Sequence, residues 1–187
     1  MPQPNVEYYK EFSQGCKIYI ESGTYKCGSL EIARSCDLFE EIHSIEVVPQ
    51  FYEDAVARYK DDPRVKLWLG YSPDVLRESI LPNLKHRATF WFDGHVCGDA
   101  VTSGYSKYGR CPLLDEVEAL KESSIKDHII FMDDQRLFGT QLFDNITREQ
   151  YFNKVLELNS GYKFKHLDGG FSDGQRHLPD DIIVAYL

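Results

Sequence analysis

Short runs of β-branched and aromatic residues alternate along the chain with longer stretches whose apolar positions recur every three or four residues, the pattern of strands joined by crossover helices. Lys17–Glu21 (KIYIE) predicts a first strand ending at Ser22-Gly23, and Gly28-Ser29 opens a helix carrying Leu30, Ile32 and Ala33. Glu41–Val47 predicts a second strand closed by Pro49, after which Phe51, Ala55, Val56 and Tyr59 fall at helical spacing until Asp62-Pro63 breaks the run. Val65–Leu69 predicts a third strand, followed by Ser72 as the expected helix cap, Pro73 at the first helical position and Asp74 in the first turn of a helix reaching about Ile80. Ala88–Asp93 and Asp127–Asp133 predict the fourth and fifth strands, with a helix over Pro112–Ser123 between them. Thr147 to Gln150 reads as a capping box for a helix through Phe152, Val155 and Leu156 that ends near Gly161. Tyr162–Leu167 and Asp181–Tyr186 have no helix between them and are expected to pair antiparallel at one edge.

This order predicts an α/β fold: a Rossmann-like three-layer sandwich around a mostly parallel seven-stranded sheet with an antiparallel C-terminal strand pair. A chain of 187 residues suits one such domain spanning 1–187. No apolar run approaches the roughly 20 residues that span a bilayer. The opening MPQPNVEYYKEF has no basic and apolar leader pattern. Five cysteines without a CxxC pair disfavour a disulfide framework, so a reducing, cytoplasmic setting is expected. The net charge of −9 opposes a phosphate backbone, which argues against nucleic acid as a partner.

The first strand delivers Glu21-Ser-Gly23-Thr-Tyr25-Lys-Cys-Gly-Ser29 into a helix N-terminus, the turn where open α/β sheets admit a nucleotide-like ligand. Gly23 is expected there because a Cβ would obstruct the ligand's approach. The turn is not GxGxxG, which disfavours a nicotinamide oxidoreductase. Glu46 ends the second strand roughly 20 residues after the glycine, the place from which an acid reaches both hydroxyls of a ribose.

The fourth strand ends in Asp93 and the fifth in Asp133-Asp134, and adjacent parallel strands bring their carboxyl ends together. Three carboxylates in one crevice require a cation or strongly raised pKa values. All-oxygen ligation favours Mg²⁺, Mn²⁺ or Ca²⁺ over zinc. A rival zinc set of His95, Cys97 and Cys111 has irregular spacing. The segment Gly94–Arg110, with four glycines and with Tyr105 and Tyr108, reads as a loop over the acceptor side.

On Glu21, Gly23, Tyr25 and Ser29, an E-x-G-x-Y turn with a serine at the helix start, the chain resembles the metal-dependent catechol-type and macrocin-type O-methyltransferases of the class I, S-adenosylmethionine-dependent methyltransferases. The resemblance extends to one Asp after the fourth strand and an Asp pair after the fifth. It implies that these four residues, with Glu46 and Ser72, bind S-adenosylmethionine: Gly23 and Tyr25 at the methionine part, Glu46 at the ribose, Ser72 beside adenine. It further implies that Asp93, Asp133 and Asp134 bind a divalent metal, Mg²⁺ first among the candidates, and that His95 and Asp93 are catalytic, His95 as general base. Lys26 and Cys27 stand where relatives carry another glycine, and Tyr71 replaces an acid. The expected function is methylation of a hydroxyl on a small molecule. The alternative is a Rossmann-like domain without that activity, serving as a binding or interaction module. Domains of this size commonly form homodimers.

Overall fold

The computed structural model describes residues 4–96, 108–170 and 177–187. A seven-stranded sheet runs through it: β1 (Ile18–Ser22), β2 (Glu41–Glu46), β3 (Val65–Leu69), β4 (Ala88–Phe92), β5 (Ile129–Met132), β6 (Lys163–Gly170) and β7 (His177–Tyr186), in the spatial order β3-β2-β1-β4-β5-β7-β6. The first five strands are parallel, and β7 lies antiparallel between β5 and β6. The expected Rossmann-like sheet with an antiparallel C-terminal pair is therefore present. The pair is longer than expected, with pairing continuing to Gly169↔Leu178 and Gly170↔His177 past an irregularity after Leu167.

Side-chain alternation along the strands explains the layers. In β4, Phe90 and Phe92 pack with Ile130 and Met132 under α5 (Leu113–Leu120) and α6 (Arg148–Leu158), while Trp91 and Phe131 face the other layer. That second layer holds α1 (Val6–Phe12) and α2 (Gly28–Ser35). Sequence periodicity gave no sign of α1, a seven-residue helix too short for a resolvable stripe. Asn5 caps it, and its buried Tyr9 meets Tyr19, Phe39 and Phe131 edge-on at 5.4–5.5 Å between ring centroids.

The helix after β2, α3 (Pro49–Tyr59), carries the expected Phe51, Ala55, Val56 and Tyr59 and starts at the proline itself. The one after β3 departs from expectation: α4 (Ser72–Val75) gives way to a π-helical turn, Leu76–Ile80, and a 3-10 turn, Leu81–Asn83. Ser72 does not cap it. Tyr71 occupies the cap position, and the Ser72 hydroxyl turns inward instead. The capping box of α6 forms both ways, Gln150 N–H donating to Thr147 Oγ1 at 3.2 Å and Thr147 N–H to Gln150 Oε1 at 2.7 Å. No helix among the described residues is long and apolar enough to cross a membrane.

Candidate active site

A cleft open to solvent lies over the carboxyl ends of β1 to β4. It straddles the β1/β4 boundary, where the strand order reverses and open α/β sheets bind their ligands.

Gly23 sits in that cleft with φ +87°, a left-handed conformation, and its N–H donates to the Ile45 carbonyl at 2.9 Å. A Cβ there would lie 2.4 Å from the Asp93 carbonyl oxygen. The protein's own backbone thus requires the glycine at the contact joining the β1 and β4 tips, a reason additional to the expected room for a ligand. Tyr25 follows at φ +43°, and its N–H donates to Glu46 Oε2 at 2.7 Å. Val48 N–H donates to Glu46 Oε1 at 2.8 Å. Burial raises the Glu46 pKa, with these two donors opposing the rise. Each carboxylate oxygen keeps a further lone pair for a ligand.

Glu21 and Ser29 do not line the cleft. Glu21 is fully buried beneath the turn, where it accepts from Ser44 Oγ at 2.6 Å and Tyr19 Oη at 3.0 Å. Burial raises its pKa to about 7, against hydrogen bonds that include one from Ser29. Both residues brace the corner from below, so the direct cofactor contact expected of them is replaced by support.

Ser72 lines the cleft and donates to Glu116 Oε1. Glu116, from α5, is buried, and burial raises its pKa to about 7. Sequence reasoning missed it, although it shares a helix face with Leu113 and Leu120 at i−3 and i+4. Beside Ser72, the Tyr71 ring stacks on Tyr108 with centroids 4.6 Å apart and planes 9° apart.

At the β4 and β5 tips four carboxylates gather: Asp93, Asp133, Asp134 and Asp181. Only Asp93 of these lines the cleft, together with His95. The expected set of Asp93, Asp133 and Asp134 does not close into one group. Instead Asp93, His95 and Asp134 place ligand atoms within 4.8 Å of one another, and Asp133, Asp134 and Asp181 form a second such group. Asp134, at φ +61°, belongs to both groups, through Oδ2 toward His95 and Oδ1 toward Arg136. Arg136 offsets part of the charge of the second group, its Nη1 lying 2.6 Å from Asp134 Oδ1 and also pairing with Asp181 Oδ2.

His95 Nε2 contacts Asp134 Oδ2 at 2.7 Å and lies 3.6 Å from Asp93 Oδ1, while Nδ1 faces the Val96 carbonyl at 3.3 Å. With both ring nitrogens facing acceptors, no lone pair points at the cleft, and the general-base role expected of His95 is not supported by this arrangement. Burial, then the charges of Asp133 and Asp134, push the Asp93 pKa well above the carboxylate range. Burial, then Asp134, do the same to Asp133. Burial would also raise Asp134, but His95 and Arg136 outweigh it and hold its pKa low. Cys97 and Tyr105 lie outside the described residues.

No protein-family profile and no curated protein sequence matches the chain. Solved structures do. A spermidine synthase from Thermotoga maritima superposes on 97% of this chain with a TM-score of 0.58 at 11% identity, and the chain spans 59% of it. The O-methyltransferase TomG from Streptomyces achromogenes, solved with SAM, matches over 97% of this chain and 77% of its own with a TM-score of 0.58 at 16% identity. An O-methyltransferase from Bacillus cereus, solved with SAH, gives 0.57 at 16% identity over 97% of this chain and 78% of its own. The chain therefore carries the Rossmann-like α/β fold that these proteins share.

Proposed function

We propose that this chain binds S-adenosylmethionine in the β1–β4 cleft and transfers its methyl group to a hydroxyl of a small molecule. One observation carries the reading: Gly23, Tyr25, Glu46 and Ser72, from the tips of three different strands, all line a single cleft at the sheet's switch point. Two structures of the same fold, TomG and the Bacillus cereus enzyme, hold SAM and SAH respectively.

The residues have separable duties. Glu46, fixed by two backbone donors, offers its remaining lone pairs to the ribose hydroxyls. The Gly23–Asp93 backbone contact keeps the β1 tip against the β4 tip, so the reacting methyl and the acceptor side stay in register. Glu46, at the cleft wall with two backbone donors favouring its charged form, attracts a sulfonium cation more than the neutral thioether product, which favours release after transfer. The carboxylates beyond β4 and β5 have the chemistry of a divalent-cation site, since Asp93 Oδ1 and Asp133 Oδ2 are buried without a hydrogen-bond partner. A cation bound there supplies a Lewis acid that lowers the pKa of an acceptor hydroxyl.

Calorimetry with S-adenosylhomocysteine tests the reading. Binding to the native protein should weaken roughly 10- to 100-fold in Glu46→Ala, the loss of hydrogen bonds to a charged group. Absence of heat at millimolar ligand would leave the alternative, a fold retained as an interaction module.

A further inference from the structure

Two polar side chains meet at the far end of the cleft, and only one of them reaches the ligand's side. Ser72 lines the cleft, whereas Glu116, from α5, is 1% exposed and lies behind it. The Ser72 hydroxyl donates to Glu116 Oε1 at 2.5 Å, the length of a bond from a hydroxyl to an ionised carboxylate. The segment carrying Ser72 is tied to α5 on both sides of this pair. Tyr71 Oη donates to Asp115 Oδ2 at 3.1 Å, and Arg77 Nε donates to Glu122 Oε1 at 3.1 Å. Gly94 leaves room for the carboxylate from the β4 side, since a Cβ there would lie 3.2 Å from Glu116 Oε1.

A hydroxyl has one proton and two lone pairs. With its proton committed to Glu116, Ser72 has only lone pairs to offer the cleft, so it accepts and does not donate. Burial raises the Glu116 pKa to about 7, so at pH 8.5 the group is a carboxylate with no proton to return to the serine. The same end of the cleft carries the stacked Tyr71 and Tyr108 rings, a flat aromatic wall. A planar heterocycle against that wall gains a hydrogen bond if an N–H faces Ser72. A carbonyl oxygen in the same place sets two acceptors against each other.

We propose that Glu116 is a positioning residue that makes Ser72 a reader of the purine 6-amino group, so that the cleft takes adenine and rejects its 6-oxo counterpart. This rests on the reading of the cleft as the S-adenosylmethionine site and deepens it. Glu116 touches no ligand, and it acts through the direction of one proton.

Calorimetry of the full chain at pH 8.5 with S-adenosylhomocysteine and with S-inosylhomocysteine, its 6-oxo purine analogue, tests the assignment. The native protein should bind the adenosyl compound at least about 10-fold more tightly. Glu116→Met keeps much of the side chain's shape and frees the serine proton. S-inosylhomocysteine should then bind about 5-fold more tightly or better, while S-adenosylhomocysteine changes less than about 3-fold. A variant that merely loosened the fold would weaken both ligands together. Ser72→Ala should bring the two affinities within about 3-fold of each other by weakening the adenosyl compound, and it reads the same contact if Glu116→Met does not fold. A native preference below about 3-fold overturns the assignment and leaves the cofactor reading standing. So does selectivity unchanged in Glu116→Met or, where that variant does not fold, in Ser72→Ala. Binding of neither compound to the native protein overturns both.

Discussion

The glycine corner between β1 and β2 and the carboxylate crevice between β4 and β5 both lie at strand tips, and they treat their buried polar atoms differently. At the corner, Glu21 accepts from Tyr19 and Ser44, and Glu46 accepts two backbone N–H groups. In the crevice, Asp93 Oδ1 and Asp133 Oδ2 accept nothing. The corner is complete before any ligand arrives, whereas the crevice is complete only with extra protons or a cation. One half of the site is preorganised, and the other stores unsatisfied charge as affinity for what enters it.

The largest expected effect comes from breaking the corner's geometry. Gly23→Ala forces a Cβ onto the Asp93 carbonyl at a left-handed φ, and should cost at least about 3 kcal/mol and abolish S-adenosylhomocysteine binding. A thermal melt shows whether the variant is destabilised; a native-like melting temperature would mean that the β1 and β4 tips are not in contact.

Removing the hydroxyl under the cleft comes next. Ser72→Ala leaves a lone pair of buried Glu116 without its donor and should lower stability by about 1–3 kcal/mol. Paired with Glu116→Gln, the two losses should be non-additive in a double-mutant cycle, and simple additivity would place the two side chains apart.

The pH dependence follows from the same burial. Glu21 and Glu116 have folded pKa values raised from 4.5 to about 7, so the stability they contribute is full below pH 4.5 and is lost as pH rises through 7. His43 and His128 are shifted the other way, and their contribution falls only below their ordinary value of 6.5. Between pH 6.5 and 8.5 the two glutamates should together lower the melting temperature by about 3–6 °C, and the raised Asp93 and Asp133 act in the same direction. Glu21→Gln and Glu116→Gln should each flatten that slope by a similar amount. A melting temperature that rises over this range contradicts the burial of these acids.

Smallest is the aromatic pair at the cleft's far end. Tyr71→Phe keeps the stack on Tyr108 and loses only a hydroxyl bond to Asp115 near the surface, so S-adenosylhomocysteine affinity should hold within about 2-fold. Tyr71→Ala should weaken it about 2- to 10-fold if adenine uses that ring. Equal affinities for the two variants would take Tyr71 out of the adenine end.

How much of this was legible in the sequence follows the same division. Strand order and the alternation of Phe90, Trp91 and Phe92 were readable because buried parallel strands need apolar side chains on both faces. Glu46 was readable because its place depends only on strand length after the glycine turn. The roles of Glu21 and Ser29 were not, because lining a cleft and bracing it from below use the same residue types one position apart. The regrouping of the aspartates was hidden as well. It depends on Arg136 and Asp181, the latter 47 positions along the chain from Asp134 and brought in by β7. Long-range pairing of that kind leaves no local pattern.

The central claim is that the cleft over β1 to β4 receives S-adenosylmethionine with its ribose on Glu46. A crystal structure of the protein with S-adenosylhomocysteine tests it directly. The account predicts the ribose hydroxyls within hydrogen-bond distance of the Glu46 carboxylate and the sulfur near Gly23 and Asp93. Ligand density elsewhere on the molecule, or an empty cleft at saturating ligand, would contradict it.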